Sequence, residues 1–234
     1  MISVNQLYND VSTLSRKSRG GGFLSDTIFN IHLKNAEKAL FQRFYKVYEE
    51  TQGIIDHMRP FVVYNNLIQT NSLGVMAFPD TYAHKLALEG VYVANPKKKT
   101  NPSEVKRYEC PLLRSSEVAT FLSDIVAKPD FDKRRFYHTF RNNSIQVFPE
   151  RKMWVGITYF RYPVYGYITH TVSDAGGQDK YTYDPTASLD LEWNDITYGD
   201  FINKICELLG ISTNSPEFVQ LVNTTVKDTN SMLK

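Results

Sequence analysis

The hydrophobic period of this 234-residue chain changes twice, and that change constrains its fold more than any other feature. Before residue 60, apolar residues recur every three or four positions. From about 61 to 190 they alternate, or run in short blocks between turn residues, and after 191 the helical period returns. Helices at both ends with strands between them predict an α+β protein, in which N- and C-terminal helices form a helical bundle and an antiparallel β domain is inserted. The boundaries read as 1–60 for the N-terminal helical region, 61–190 for the inserted β-rich domain, and 191–234 for C-terminal helices that complete the bundle and add a terminal arm.

Within the first region, Ser3 precedes a helical run of Val4, Leu7, Val11 and Leu14, and Gly20-Gly21-Gly22 stops it. Ser25-Asp26 then caps a second helix reaching Glu50, about 39 Å long at 1.5 Å per residue. Its apolar residues form more than one stripe, so the helix is expected to be contacted on two sides, with Phe41 and Phe44 facing another subunit. In the β region, Phe136–Phe140 and Ile145–Phe148 flank Asn142-Asn143 as a hairpin. Trp154–Arg161 is a strand with apolar residues on both faces, and Tyr165–Val172 and Tyr181–Tyr183 flank a longer turn. Tyr198, Phe201, Ile202, Ile205, Leu208 and Leu209 share one face of a late helix ended by Gly210. Ser215-Pro216-Glu217 starts another helix, with Phe218, Leu221 and Val222 as its apolar face. The polar residues beyond Val226 cannot anchor themselves, so Ile211–Lys234 reads as an adhesive arm and those three residues as a candidate interface.

Chemistry-bearing patterns are sparse. The chain has no Gly-x-Ser-x-Gly, His-Glu-x-x-His or Cys-x-x-Cys, and its five histidines are scattered singly. We therefore expect no enzyme activity, no cofactor and no metal. Asp184, Asp190, Glu192, Asp195 and Asp200 cluster where the late helix begins, and acids there cap free N–H groups and oppose the helix dipole. Cys110 and Cys206 do not make a disulfide framework. No apolar run follows Arg16, Lys17 and Arg19, and none has membrane-spanning length, so we expect no signal peptide and no membrane partner. Charge is uneven: residues 91–161 hold 14 Lys and Arg against 7 Asp and Glu, whereas residues 162–234 hold 4 against 10. Such a chain can pair head to tail with copies of itself or with a charged neighbour, and the same charges also suit an ordinary solvated surface. The 15 Tyr and 14 Phe suit either subunit interfaces or a β-rich core. Lys97, Lys98 and Lys99 form a basic loop tip, solvated or contacting DNA or an acidic neighbour. Lys133-Arg134-Arg135 beside Phe136 and Tyr137 mixes charge and aromatics as nucleic-acid surfaces do, which keeps alive a nucleic-acid-binding accessory role for residues 97–161.

One order of short motifs runs through most of the chain. It begins with a long helix, Arg59-Pro60-Phe61, and Phe78-Pro79-Asp80-Thr81-Tyr82. It continues with Asn143–Pro149, Thr158-Tyr159-Phe160-Arg161-Tyr162-Pro163, and Leu191-Glu192-Trp193-Asn194-Asp195 before a helix. This order resembles the neck and tail-ring structural proteins of tailed bacteriophages, especially crAss-like phages and their podovirus-like relatives. The resemblance implies a ring subunit of the virion, made in the bacterial host cytoplasm and repeated twelvefold to match a portal. It implies contact with portal or adjoining neck and tail rings, and a channel for DNA that is touched without sequence preference. No catalytic residues come with the family.

Overall fold

The computed structural model describes residues 1–19, 24–51, 56–92, 106–174 and 179–211. The fold is mixed α+β, and the chain divides into two compact units. Unit 1 comprises Met1–Pro60 and Pro163–Lys234, and unit 2 comprises Phe61–Tyr162.

Unit 1 contains α1 (Val4–Arg19), α2 (Asp26–Thr51) and α4 (Tyr198–Leu208), and α4 packs on both of the others. The periodic residues of α1, Val4, Leu7, Val11 and Leu14, are all buried. The Ser25 hydroxyl accepts from Ile28 N–H at 3.4 Å, so the helix start read from the sequence is the one formed. α2 buries Phe29, Leu33, Ala36, Leu40, Phe41 and Phe44. Trp193, wholly buried, lies against the Phe44 ring at 5.9 Å and the Phe201 ring at 5.5 Å. Each large side chain buried this way contributes about 1.5–3 kcal/mol.

Phe41 and Phe44 therefore correct the sequence reading. They are 2% and 6% exposed within this chain and belong to its own core, not to an open face offered to another subunit. The apolar residues that α2 does expose are Ile28, Ile31 and Val47. The wide apolar surface arises because α1, α4 and the Trp193 segment are all served by one helix.

Unit 2 is built from two antiparallel sheets. The larger has the order β1 (Val62–Gln69), β7 (Trp154–Arg161), β3 (Tyr82–Tyr92), β4 (Lys106–Glu109). The smaller has the order β2 (Val75–Ala77), β6 (Ser144–Phe148), β5 (Tyr137–Arg141). Both contribute to one core of Met76, Leu88, Cys110, Phe136, Ile145, Val147, Met153, Val155, Ile157 and Tyr159. The β5–β6 hairpin turns at Asn142-Asn143, with Arg141 opposite Ser144 and Asn142 at φ +40°, a conformation Asn tolerates. β7 is covered on both faces over most of its length, and only Trp154 at its start is exposed. A short helix, α3 (Val118–Ser123), was not legible in the alternating pattern.

The second boundary also differs from the sequence reading. Unit 2 ends at Tyr162, not near 190, and the hairpin of β8 (His170–Asp174) and β9 (Asp179–Tyr183) belongs to unit 1. The physical reason is hydrogen bonding: the segment after Pro163 is pinned along α2. The chain enters and leaves unit 2 on neighbouring antiparallel strands, since Val62 pairs with Phe160. That is the geometry of an insertion, which closes with little distortion of the host.

Candidate functional site

Two clusters of buried and half-buried polar side chains stand out, one in each unit. In unit 1, three residues on the buried side of α2 act as the missing partner strand for an extended segment. Glu37 Oε2 accepts from Gly166 N–H at 3.1 Å. Asn30 accepts from Ile168 N–H and donates to Ile168 C=O, both at 2.9 Å. Asp26 accepts from the backbone N–H of His170 and from its Nδ1, both at 2.8 Å. The segment's other edge pairs with the chain itself, Tyr167 with Leu189. Burial pushes the Glu37 carboxyl up to about 8, against the opposing pull of the Gly166 amide. At neutral pH it is mainly the uncharged acid, the state that a wholly buried side chain favours.

Asp190 reaches back in the same way. Its Oδ1 accepts from Val4 N–H at 2.9 Å, and Ile2 bridges Leu191, so the first helix is capped by a residue 186 positions away. The acidic set thus does structural work at several sites. Asp200 pairs with Arg43 at 3.1 Å, and Asp184 closes its own turn onto Thr186 and Ala187. At the late helix it is Asn194 whose side chain accepts from Ile196 N–H.

In unit 2, Lys85 on β3 and His138 on β5 meet across the two sheets beside a cavity of about 320 Å³. His138 Nδ1 donates to the Cys110 carbonyl at 2.6 Å, which leaves Nε2 to accept from Lys85 Nζ at 2.9 Å. Burial, and then the Lys85 charge, lower the imidazole to about 4, so it is neutral at physiological pH. Burial also holds Lys85 below the usual lysine range and drives the Cys110 thiol upward. A protonated thiol is a poor nucleophile. The trio is an inter-sheet brace: it satisfies buried donors and acceptors and fixes the spacing of β3 and β5. Among the described residues, no group of three or more His, Cys, Asp and Glu is arranged to hold a metal ion.

The candidate residues from the sequence fall into two groups. Phe41 and Phe44 are core, whereas Lys97, Lys98, Lys99, Phe218, Leu221 and Val222 lie outside the described residues. Within the basic stretch, Phe136 is buried and cannot present a face for base stacking. Arg134 lies over Tyr108 at 5.3 Å and Arg151 over Phe131 at 4.0 Å, so these cations cover the protein's own rings.

Charge separates by unit. Unit 2 carries 15 Lys and Arg against 9 Asp and Glu, a net of +6, and unit 1 carries 12 against 16, a net of −4. The sequence showed this asymmetry only along the chain, and the insertion concentrates the basic residues in one body. No protein-family model matches the chain, and no curated protein matches it. The fold and its polar clusters define an α+β protein with an inserted antiparallel β unit of opposite charge to its host.

Proposed function

We propose that this protein is a structural subunit of a ring in the neck or tail of a tailed bacteriophage, associating head to tail with copies of itself. The observation that carries the reading is the separation of charge into two compact units, +6 and −4. Two units of unlike charge in one chain favour contacts in which unlike surfaces meet, and repeated unlike contacts generate rings. The motif order that resembles neck and tail-ring proteins supports the placement in a virion. Two of those motifs, Arg59-Pro60-Phe61 and Tyr162-Pro163, lie at the chain's passages between the units. On this reading the N- and C-terminal helices form the bundle of the ring body. The partners are other copies, twelvefold around a portal axis, the portal or an adjoining ring, and DNA passing without sequence-specific contact.

The polar clusters agree with a scaffold. They serve buried backbone groups and sheet spacing, and each is packed against its own chain. The net charge of unit 2 also favours a second reading, a nucleic-acid-binding accessory protein using residues 97–161. Sedimentation across a salt series, with and without duplex DNA, separates the two. A ring subunit is expected to form one large discrete species at low salt without DNA. A protein that stays monomeric and binds DNA, with affinity falling steeply as salt rises, would overturn the ring reading.

A further inference from the structure

Several strand edges have no described strand beside them, and two of these are long or exposed enough to take another. The first is β1, the outer strand of the larger sheet in unit 2, with β7 on one side only. It is eight residues long, and no residue from Val62 to Gln69 is charged or proline. Sheets normally guard an outer strand with charge, proline, shortness or a bulge. The opposite edge of this sheet follows that rule, since β4 is only Lys106-Arg107-Tyr108-Glu109. In β1 the register shifts between Val63 and Asn66, and Asn65 has φ +51°. Beyond that bulge the run Asn66–Gln69 pairs in regular register and is unguarded. Tyr64 is 62% exposed and Leu67 is 47% exposed.

The second element is the β8–β9 ribbon of unit 1. Its five pairs run from His170 opposite Tyr183 to Asp174 opposite Asp179, and no third described strand joins it. Its base is fixed by His170 on Asp26. Further out, Thr171, Val172 and Ser173 are exposed, as are Lys180, Tyr181 and Thr182. Val172 is 56% exposed, directly opposite Tyr181. A two-stranded ribbon exposed on both faces is marginally stable in water, and a third strand would stabilise it.

We propose that the β8–β9 ribbon of one copy adds to the β1 edge of a second copy, so that successive subunits share a continuous β-sheet. The proposal rests on the self-association reading and names its joint. Charge selects this occupant. β1 meeting β1 would bring two units of +6 together, whereas the ribbon brings a unit of −4 to a unit of +6. The ribbon itself, residues 170–183, holds Asp174 and Asp179 against Lys180. A joint between unlike surfaces also repeats around a ring, while β1 on β1 ends at a pair. Main-chain hydrogen bonds would supply affinity, and Leu67 with Val172 an apolar contact.

The test uses the whole chain. Leu67→Cys and Val172→Cys are made in separate proteins, which are mixed and treated with a short bismaleimide. The native Cys110 and Cys206 are buried, so the new thiols are the accessible ones. The expected product is a cross-link between residues 67 and 172 of different chains, identified by peptide mass. Leu67→Lys and Val172→Lys should each weaken association at least tenfold while leaving the circular dichroism and Tm unchanged. A dominant 67-to-67 cross-link would overturn the proposal in favour of edge-to-edge dimers. Oligomers that survive both lysine substitutions would overturn this joint and leave self-association standing. Wild-type protein that remains monomeric at high concentration would remove both.

Discussion

Glu37 shows how much one side chain can reveal about working conditions. It is wholly buried on α2, and burial pushes its carboxyl up to about 8. An acid whose folded pKa lies above its unfolded value binds its proton more tightly when folded. Its stabilising effect is complete below the unfolded value of 4.5 and is lost as pH rises through about 8. Glu37→Gln keeps an oxygen for the Gly166 amide and cannot ionise. Denaturant titrations should therefore show the variant gaining on wild type between pH 5 and pH 8.5, by on the order of 4 kcal/mol. Parallel stability curves over that range would contradict the assignment. Gly90 makes a steric argument of the same kind. A Cβ there would stand 2.5 Å from Cγ of the buried Phe136 ring. Gly90→Ala should cost about 1–3 kcal/mol, and adding Phe136→Leu should recover part of the loss because space is returned. Neither residue's packing partner could be read from its immediate sequence. A helical glutamate usually faces water, and only the segment after Pro163 shows why this one does not.

At the scale of elements, α2 is where sequence and structure both agree and part company. Its start at Ser25-Asp26, its length and its apolar breadth were all readable, because capping and periodicity are local properties. Who covers that breadth was not readable, because the covering groups come from Tyr8 of α1, from α4 and from Trp193, all outside the helix itself. Phe44→Ala should accordingly cost about 3–5 kcal/mol of folding stability, as core truncations do, whereas Ile31→Glu on the exposed side should change it by less than about 0.5 kcal/mol. The clamp on residues 166–170 gives a second check. Asn30→Leu removes both partners of the Ile168 peptide group, and leaving such groups unpaired costs about 1–3 kcal/mol each. Hydrogen exchange at the Ile168 amide should then accelerate well before the helices open. Unchanged protection there would mean that the other edge holds the segment alone. The polar stripe Asp26, Asn30 and Glu37 on the apolar side of α2 was the available signal, and its spacing of four and seven residues follows the helical period. The β5–β6 and β8–β9 hairpins were legible from their turns, yet their assignment to different units depends on hydrogen bonds no local pattern carries.

For the whole molecule, the decisive property is that an insertion turns a charge gradient along the chain into two bodies of opposite sign. Net charge near zero conceals this, as the overall value of +2 does here. Association driven by such surfaces weakens with added salt, while a shared sheet edge gives it register. Single-particle electron microscopy of the purified protein at low salt would show the ring itself. The expected particles are closed rings around an open channel, in which unit 2 of each copy meets unit 1 of the next. Isolated monomers, or two-fold pairs joined through like units, would contradict it.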